Sequence, residues 1–319
     1  MKILVTGSAG FVGFHVASRL LDEGHKIVGL DNFNDYYSVE LKRRRDGLLR
    51  KRAGFDGVEC DLCDFQKLQD LFKKHRFDIV CHLAAQAGVR YSLTNPFVYH
   101  KSNSEGFLNI LEAGRHAGMK RLVYASSSSV YGNNKKLPFS ENDRVDNPIS
   151  LYAATKKSNE LMAHAYSHLY GIQTIGLRLF TAYGPWGRPD MSYWLFTAAI
   201  SQGKTIKVFN HGDMRRDFTF IDDITRGVQS ALFTEGLPQN DIYNLGNHRS
   251  EKLMDLIGII ASCLGKEPKI EFLPIQPGDV KDTYADIKKA RKALKFNPRT
   301  NLAVGIPLFV KWYQEYQKE

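Results

Sequence analysis

Tyr152 and Lys156 stand four residues apart in a stretch of helical periodicity, Leu151 to Tyr170. At i and i+4 the two side chains share one helix face. An ammonium beside a phenol stabilises phenolate over phenol and lowers the tyrosine pKa. Such a tyrosine can take a proton from an alcohol while hydride leaves to a nicotinamide, and the lysine can also hold the nicotinamide ribose. Upstream, Ser126-Ser127-Ser128-Ser129 lies at the end of a strand-like run, Arg121 to Ser126, where a hydroxyl can bridge substrate and tyrosine. Taken singly these features are ordinary, since exposed Tyr-Lys pairs and turn-forming loop serines are common. Their order along the chain, together with the N-terminal turn, gives them meaning.

That turn is Gly7-Ser8-Ala9-Gly10-Phe11-Val12-Gly13, between the apolar run Lys2 to Thr6 and a helical stretch, Phe11 to Leu21. Glycines there allow a tight turn, close approach of backbone to a pyrophosphate, and close helix–strand packing. The helix N-terminus offers free N–H groups to the phosphates. Asp31 ends the second strand candidate, Lys26 to Asp31, where a carboxylate can accept hydrogen bonds from the adenosine ribose and would repel a 2′-phosphate. NAD is therefore expected over NADP, although the basic stretch downstream could reach such a phosphate. Asp61, at the end of the third strand candidate, can meet the adenine edge. Phe11, Val12, Asn32, Leu62, Leu83, Ala84 and Ala85 complete the expected cofactor contacts.

The elements that must position these residues alternate. Strand candidates continue at Phe55 to Cys60, Asp78 to Leu83 and Thr174 to Leu179, with helix candidates at Phe65 to Lys74 and Tyr99 to Ala117. This pattern predicts an α/β fold with a doubly wound parallel sheet, followed by a smaller C-terminal α/β substrate lobe. The expected division is 1–178 for the cofactor domain, with a return near 217–245, and 179–216 and 246–319 for the lobe. The lobe would pack on the carboxyl ends of the strands, where open α/β sheets bind ligands.

Composition sets the outer bounds. The 319 residues are 43% hydrophobic and 24% charged, as in an ordinary soluble protein. No apolar run approaches the roughly 20 residues of a membrane span. The N-terminus reads as a strand and helix and not as a signal peptide, so a cytoplasmic location is expected. The net charge of +10 favours anionic ligands or reflects a generally basic surface. Its densest stretch, Lys42 to Arg52, reads as the solvated face of a helix with a partial apolar stripe from Leu41, Leu48 and Leu49. Cys60 and Cys63 form a lone C-x-x-C without a second pair, so no metal site is expected.

The chain resembles the extended short-chain dehydrogenases/reductases, and among them the UDP-glucuronate 4-epimerases. The stretches that carry the resemblance are TGSAGFVG, DNFNDYY, HLAAQAGVRYS, SSSSVYG, LYAATKKSNE, FTAYGPWGRPDM, RRDFTFIDD and QPGDVKDTYAD. The glycine turn and the Tyr-Lys pair mark only the superfamily; AAQAGVRYS with YGPWGRPDM is specific to uronate epimerases. The resemblance implies Ser127 as the hydroxyl partner of Tyr152 and Lys156, with Ser128 and Ser129 beside it facing the sugar. It implies Thr181 beside the sugar, Arg216 on the diphosphate and Asp279 on the uridine ribose. Arg90 and Arg188 can face the diphosphate or the uronate carboxylate, or can form a surface or interdomain ion pair. Similar enzymes are homodimers that pair two long helices per subunit, here Tyr99 to Ala117 and Leu151 to Tyr170.

The expected reaction is C4 epimerisation of a UDP-uronate through a transient 4-keto sugar, with NAD regenerated in each cycle. That intermediate is a β-keto acid and loses CO₂ easily. Similar dehydratases and decarboxylases carry acids in the serine segment that can move protons at C5; this chain has Ser127, Ser128 and Ser129 there, which favours plain epimerisation. The alternatives are a hexose epimerase, decarboxylase or dehydratase on the same fold, and an inactive NAD-binding sensor. Nucleic-acid binding by Lys42 to Arg52 ranks last, and no membrane partner is expected.

Overall fold

The computed structural model describes residues 1–276 and 280–318. Chain order begins β1 (Lys2–Thr6), α1 (Phe11–Asp22), β2 (Lys26–Asp31), α2 (Val39–Arg50), β3 (Phe55–Glu59), α3 (Phe65–His75) and β4 (Ile79–His82). The short helices α4 (Tyr91–Thr94) and α5 (Pro96–Tyr99) follow, then α6 (Gly106–His116), β5 (Arg121–Ser127), α7 (Leu151–Tyr170), β6 (Gln173–Leu179) and β7 (Thr181–Tyr183). Next are α8 (Ser192–Ser201), β8 (Thr205–Phe209), β9 (Arg215–Arg216), β10 (Phe218–Phe220), α9 (Ile221–Phe233) and β11 (Asn240–Leu245). The chain closes with β12 (Glu251–Lys252), α10 (Leu253–Leu264), β13 (Lys269–Leu273), α11 (Lys288–Leu294) and α12 (Leu302–Tyr316).

The main sheet runs β11-β6-β5-β4-β1-β2-β3, with every pair parallel. Its central strands are near-continuous apolar runs because helices cover both faces: Ile3, Leu4, Val5, Val80 and Cys81 are all fully buried. The order reverses between β1 and β4, so their carboxyl ends open a crevice in which both the glycine turn and the loop after β4 lie. The remaining strands form separate two-stranded pairs, β7 with β10, β8 with β13 and β9 with β12. They pack with α8, α10 and α12 around a second core that includes Tyr193, Ile206, Ile257 and Phe309.

Helix α7 has clear boundaries. Ser150 Oγ caps its start by accepting from Ala153 N–H at 3.1 Å, and Gly171 ends it in the left-handed conformation. The Tyr99 to Ala117 expectation needs correction. Between α5 and α6 the backbone takes the wider π-helical form over His100–Glu105. The cause is visible at Asn103. Its amide both accepts from Gln86 N–H at 2.8 Å and donates to Gln86 O at 3.0 Å, and it donates to Thr155 Oγ1 at 3.1 Å. The extra residue in the turn aims Asn103 at the loop after β4.

The Lys42 to Arg52 expectation is also corrected in part. The stretch is helical, and Leu41 and Leu49 are buried as anticipated. Lys42 and Arg45 are not solvated, however; they are 4% and 0% exposed. Arg45 donates to Ala9 O (2.9 Å), Trp186 O (2.6 Å) and Gly187 O (2.8 Å), so it ties the glycine turn to the loop after β7. Arg43, Arg44, Arg50 and Arg52 pair with Glu59, Glu40, Asp46 and Asp22. Each of those four arginines is engaged by a nearby carboxylate.

Candidate active site

A cavity of about 920 Å³ lies over the carboxyl ends of the main strands. Every site residue named from the sequence lines it, except Asp279, which lies outside the described residues. Among its lining side chains, Lys42, Arg90, Lys156, Arg188, Lys207 and Arg216 outnumber the carboxylates Asp31, Asp61 and Asp190. That balance suits a polyanionic occupant.

At one end the glycine turn makes a cradle in which side chains do not fit. A Cβ on Gly13 would stand 2.0 Å from Gly7 O, and one on Gly7, whose φ is +70°, would stand 2.8 Å from Ala84 N. Gly10 caps α1 with no side-chain acceptor, which leaves the first N–H groups to face the cavity. Thr6 Oγ1 accepts from Leu83 N–H (3.2 Å) and Ala84 N–H (3.1 Å) and pairs with His82 Nδ1 at 2.9 Å, which pins the β4 loop beside the turn. Asp31 accepts from Ala9 N–H (3.1 Å) and Phe33 N–H (2.9 Å). Its carboxylate thus braces the turn and still has lone pairs for a ribose diol. Burial raises its pKa, against those hydrogen bonds and the charge of Lys42. For Asp61, burial pushes the pKa up, but hydrogen bonds from Cys63 and Asn32 hold the carboxyl below its ordinary value. The cradle, the positive helix end and a diol-sized pair of acceptors fit a dinucleotide.

At the other end, one face of α7 engages three consecutive residues of β5. Lys156 Nζ donates to Ala125 O at 2.9 Å. Glu160 accepts from Ser126 Oγ at 2.7 Å. Ser127 acts on the Tyr152 phenol, favouring its ionised form, and its Oγ donates to Ser129 Oγ at 3.1 Å. Glu160 in turn forms a buried bidentate ion pair with Arg178, at 2.8 and 3.0 Å, and Arg178 is the β6 residue in register with Ser126. Burial alone would raise Glu160, but the arginine holds it below its ordinary value.

Tyr152 differs from the expectation that Lys156 would lower its pKa. Burial raises it, while Ser127 and the charge of Arg188 pull the other way. The lysine is itself brought down to about 8 by burial and spends a donor on Ala125. Burial thus favours the neutral phenol, and positive charge beside it favours the phenolate.

The remaining wall comes from the loop after β7 and from the smaller lobe. Arg188 gives Nε and Nη2 to Asp190 at 3.0 and 2.5 Å. Arg90 lies over the ring of Phe209 at 4.9 Å, joining the β4 loop to the lobe. Arg216 donates to the carbonyls of Arg215 and Lys281 at 2.8 and 3.0 Å. Sequence reasoning missed Lys42, Arg45, Asn103, Tyr36, Asp190 and the Glu160–Arg178 pair. Only Glu160 carried a local signal, since it follows Lys156 by one further i+4 step on the same face.

The profile of the NAD dependent epimerase/dehydratase family matches residues 3–246. UDP-glucuronate 4-epimerase 2 of Arabidopsis thaliana is 48% identical over 335 residues, covering 100% of this chain and 77% of that protein. UDP-glucuronic acid 4-epimerase of Bacillus cereus, solved with UDP-glucuronic acid and NAD, superposes with a TM-score of 0.94 at 34% identity, covering 99% of this chain and 100% of that one. UDP-glucose 4-epimerase of Thermotoga maritima, solved with UDP-glucose, superposes with a TM-score of 0.89 at 29% identity, with 99% and 100% covered.

Proposed function

Because this chain belongs to the NAD dependent epimerase/dehydratase family, we propose that it inverts C4 of UDP-glucuronate to give UDP-galacturonate through a transient 4-keto sugar. The observation that carries this reading is the lining of one cavity: Tyr152, Ser127, Ser128, Ser129, Thr181 and Arg188 all face it, with no acid in the serine segment. The similarity to the Arabidopsis and Bacillus uronate epimerases supports it.

In this reading Tyr152 takes the C4 hydroxyl proton and later returns it to the inverted alcohol, while Ser127 holds that oxygen against the phenol. Lys156, fixed by Ala125 O, keeps a positive charge on the same helix face and binds a ribose hydroxyl. NAD would supply the hydride acceptor and donor for C4 and a positively charged ring that favours the Tyr152 phenolate. Gly7, Gly10, Phe11, Val12 and Gly13 receive the pyrophosphate; Asp31 and Asn32 take the adenosine ribose, Asp61 and Leu62 the adenine, and Leu83, Ala84 and Ala85 the nicotinamide side. Arg216 and Asp279 hold the UDP moiety. Arg90, gathered onto Phe209, is assigned to the diphosphate, and Arg188, whose charge reaches Tyr152, to the uronate carboxylate. Residues 1–178 with 217–245 form the cofactor-holding body, and 179–216 with 246–319 the sugar-nucleotide lobe.

The carboxylate must be gripped, because a 4-keto uronate loses CO₂ when its C5–C6 bond lines up with the carbonyl π-system. Hydroxyls in place of acids at Ser127–Ser129 hold it without offering a proton to C5. A cytoplasmic location fits the four free thiols. A homodimer fits the exposed Phe97, Leu108, Leu161 and Leu169 on the α5–α6 and α7 helices, and light scattering tests it.

Incubation with UDP-glucuronate tests the function. Product inverted at C4 with its carboxylate intact supports it. A UDP-pentose with CO₂ release identifies a decarboxylase instead, and inertness of the NAD-loaded wild type points to a sensor.

A further inference from the structure

Segments far apart in the chain meet at the ring of Tyr36, in the DNFNDYY stretch after β2. Its hydroxyl donates to Asp190 Oδ2 at 3.0 Å. The same carboxylate takes Nε and Nη2 of Arg188 at 3.0 and 2.5 Å. The guanidinium lies 5.8 Å from the Tyr36 ring centroid, and Tyr91 of the β4 loop flanks that ring at 4.7 Å. Gly88, at φ +103°, makes the insertion possible; a Cβ there would stand 2.7 Å from the Tyr36 hydroxyl.

An arginine on a loop ordinarily samples many rotamers. Here one edge of the fork is bound by Asp190 and one side lies against Tyr36, which leaves the Nη1 edge for the cavity that Arg188 lines. The carboxylate that does the gripping is itself oriented by a phenol from the segment after β2.

We propose that Tyr36 and Asp190 are positioning residues: they fix the cavity-facing edge of Arg188, and through it the orientation of the substrate's carboxylate. This rests on the uronate reading above. A loosely held carboxylate lets the sugar ring pucker until the C5–C6 bond stands parallel to the π orbitals of the C4 carbonyl. That bond then breaks, CO₂ leaves, its electron pair forms the C4–C5 enolate, water supplies the proton at C5, and return to C4 of the hydride first taken from it gives the UDP-pentose. The Tyr36–Asp190–Arg188 chain would therefore set the ratio of inversion to CO₂ loss.

The test compares wild type, Tyr36→Phe, Asp190→Asn and Asp190→Glu, all loaded with NAD. Steady-state kinetics and the pentose-to-uronate product ratio are read with UDP-glucuronate, and binding of UDP-glucose serves as a probe without a carboxylate. Loss of a hydrogen bond within a charged pair should raise KM for UDP-glucuronate about tenfold and the pentose fraction by a similar factor. UDP-glucose affinity should stay unchanged, and Asp190→Glu should recover part of the loss. An unmoved product ratio and KM in Tyr36→Phe and Asp190→Asn would overturn the positioning role, as would equal weakening of both nucleotide sugars. A wild type inert toward UDP-glucuronate would instead overturn the underlying reading, and the proposal with it.

Discussion

Glu160 and Arg178 form a bidentate ion pair in the interior, at 2.8 and 3.0 Å, behind the strand end that carries Ser126 and Ser127. Glu160 lies on α7 with Tyr152 and Lys156, and Arg178 lies on β6 beside Ser126. The pair therefore sets the rotation of the helix that presents the reactive tyrosine. Removing Arg178 takes both guanidinium bonds from a buried carboxylate and leaves it Lys157, at 3.3 Å, and Ser126. Arg178→Met should lower stability by about 3–5 kcal/mol. Glu160→Gln/Arg178→Met, which leaves no charge in that pair and keeps an acceptor for Ser126, should recover most of it. Denaturant unfolding of the single and double variants checks the difference; equal losses would show that the pair is not coupled.

Tyr152→Phe keeps the ring that meets Tyr99 edge-on at 6.0 Å and removes only the hydroxyl. Turnover of UDP-glucuronate should fall by about 10²–10⁴, the range for loss of a general acid–base. Thermal stability and NAD content should not change. Residual activity near wild type would remove Tyr152 from the proton transfer.

Gly13→Ala puts a methyl where the Gly7 carbonyl already stands, 2.0 Å from a built Cβ. Backbone must move, so the cradle should open even where the fold survives. The expected result is protein purified with little bound NAD, read from the absorbance of extracted cofactor. Gly258→Ala is the comparison: like Gly13 it lies in a helix without a positive φ, but a Cβ there meets nothing within 4 Å. Full NAD occupancy in Gly13→Ala would contradict a cofactor role for the turn.

His15 couples α1 to the loop after β7 through Pro185 O at 2.9 Å, and burial depresses its pKa to about 4. The folded protein holds it neutral while the unfolded chain protonates it near 6.5, so the unfolded state binds more protons below that pH. The wild type should lose stability from this group as pH falls from 6.5 toward 4, by roughly 2 kcal/mol at pH 5. Buried carboxyls with raised pKa, such as Asp217 at about 6, act in the opposite direction. The informative quantity is therefore the stability difference between His15→Gln and wild type. It should move in favour of the variant between pH 7 and 5. A difference independent of pH would show that His15 is not buried as a neutral ring.

Much of this was legible in the sequence because it is local. The strand–turn–helix at Gly7 to Gly13 and the i, i+4 step from Tyr152 to Lys156 are short-range patterns, and the alternating apolar runs predict the parallel sheet. What escaped depends on partners remote in sequence. Arg45 reads as one more surface arginine until its carbonyls appear at Trp186 and Gly187. Tyr36 has no visible purpose before Asp190 is beside it. The π-helical turn after Tyr99 has the same apolar periodicity as an α-helix; Gln86 and Thr155, which hold Asn103, decide it. The sign of the Tyr152 shift was likewise hidden, because the depth of burial outweighs a neighbouring ammonium whose donor is spent on Ala125.

Isotope tracing through a single substrate separates C4 inversion from every competing chemistry. UDP-glucuronate deuterated at C4 should give UDP-galacturonate with the deuterium still on C4, in ordinary water, with no solvent hydrogen entering C5 and no CO₂ released. Loss of the C4 label, solvent exchange at C5, or a UDP-pentose as the main product would contradict inversion through a 4-keto sugar held by Tyr152 and Arg188.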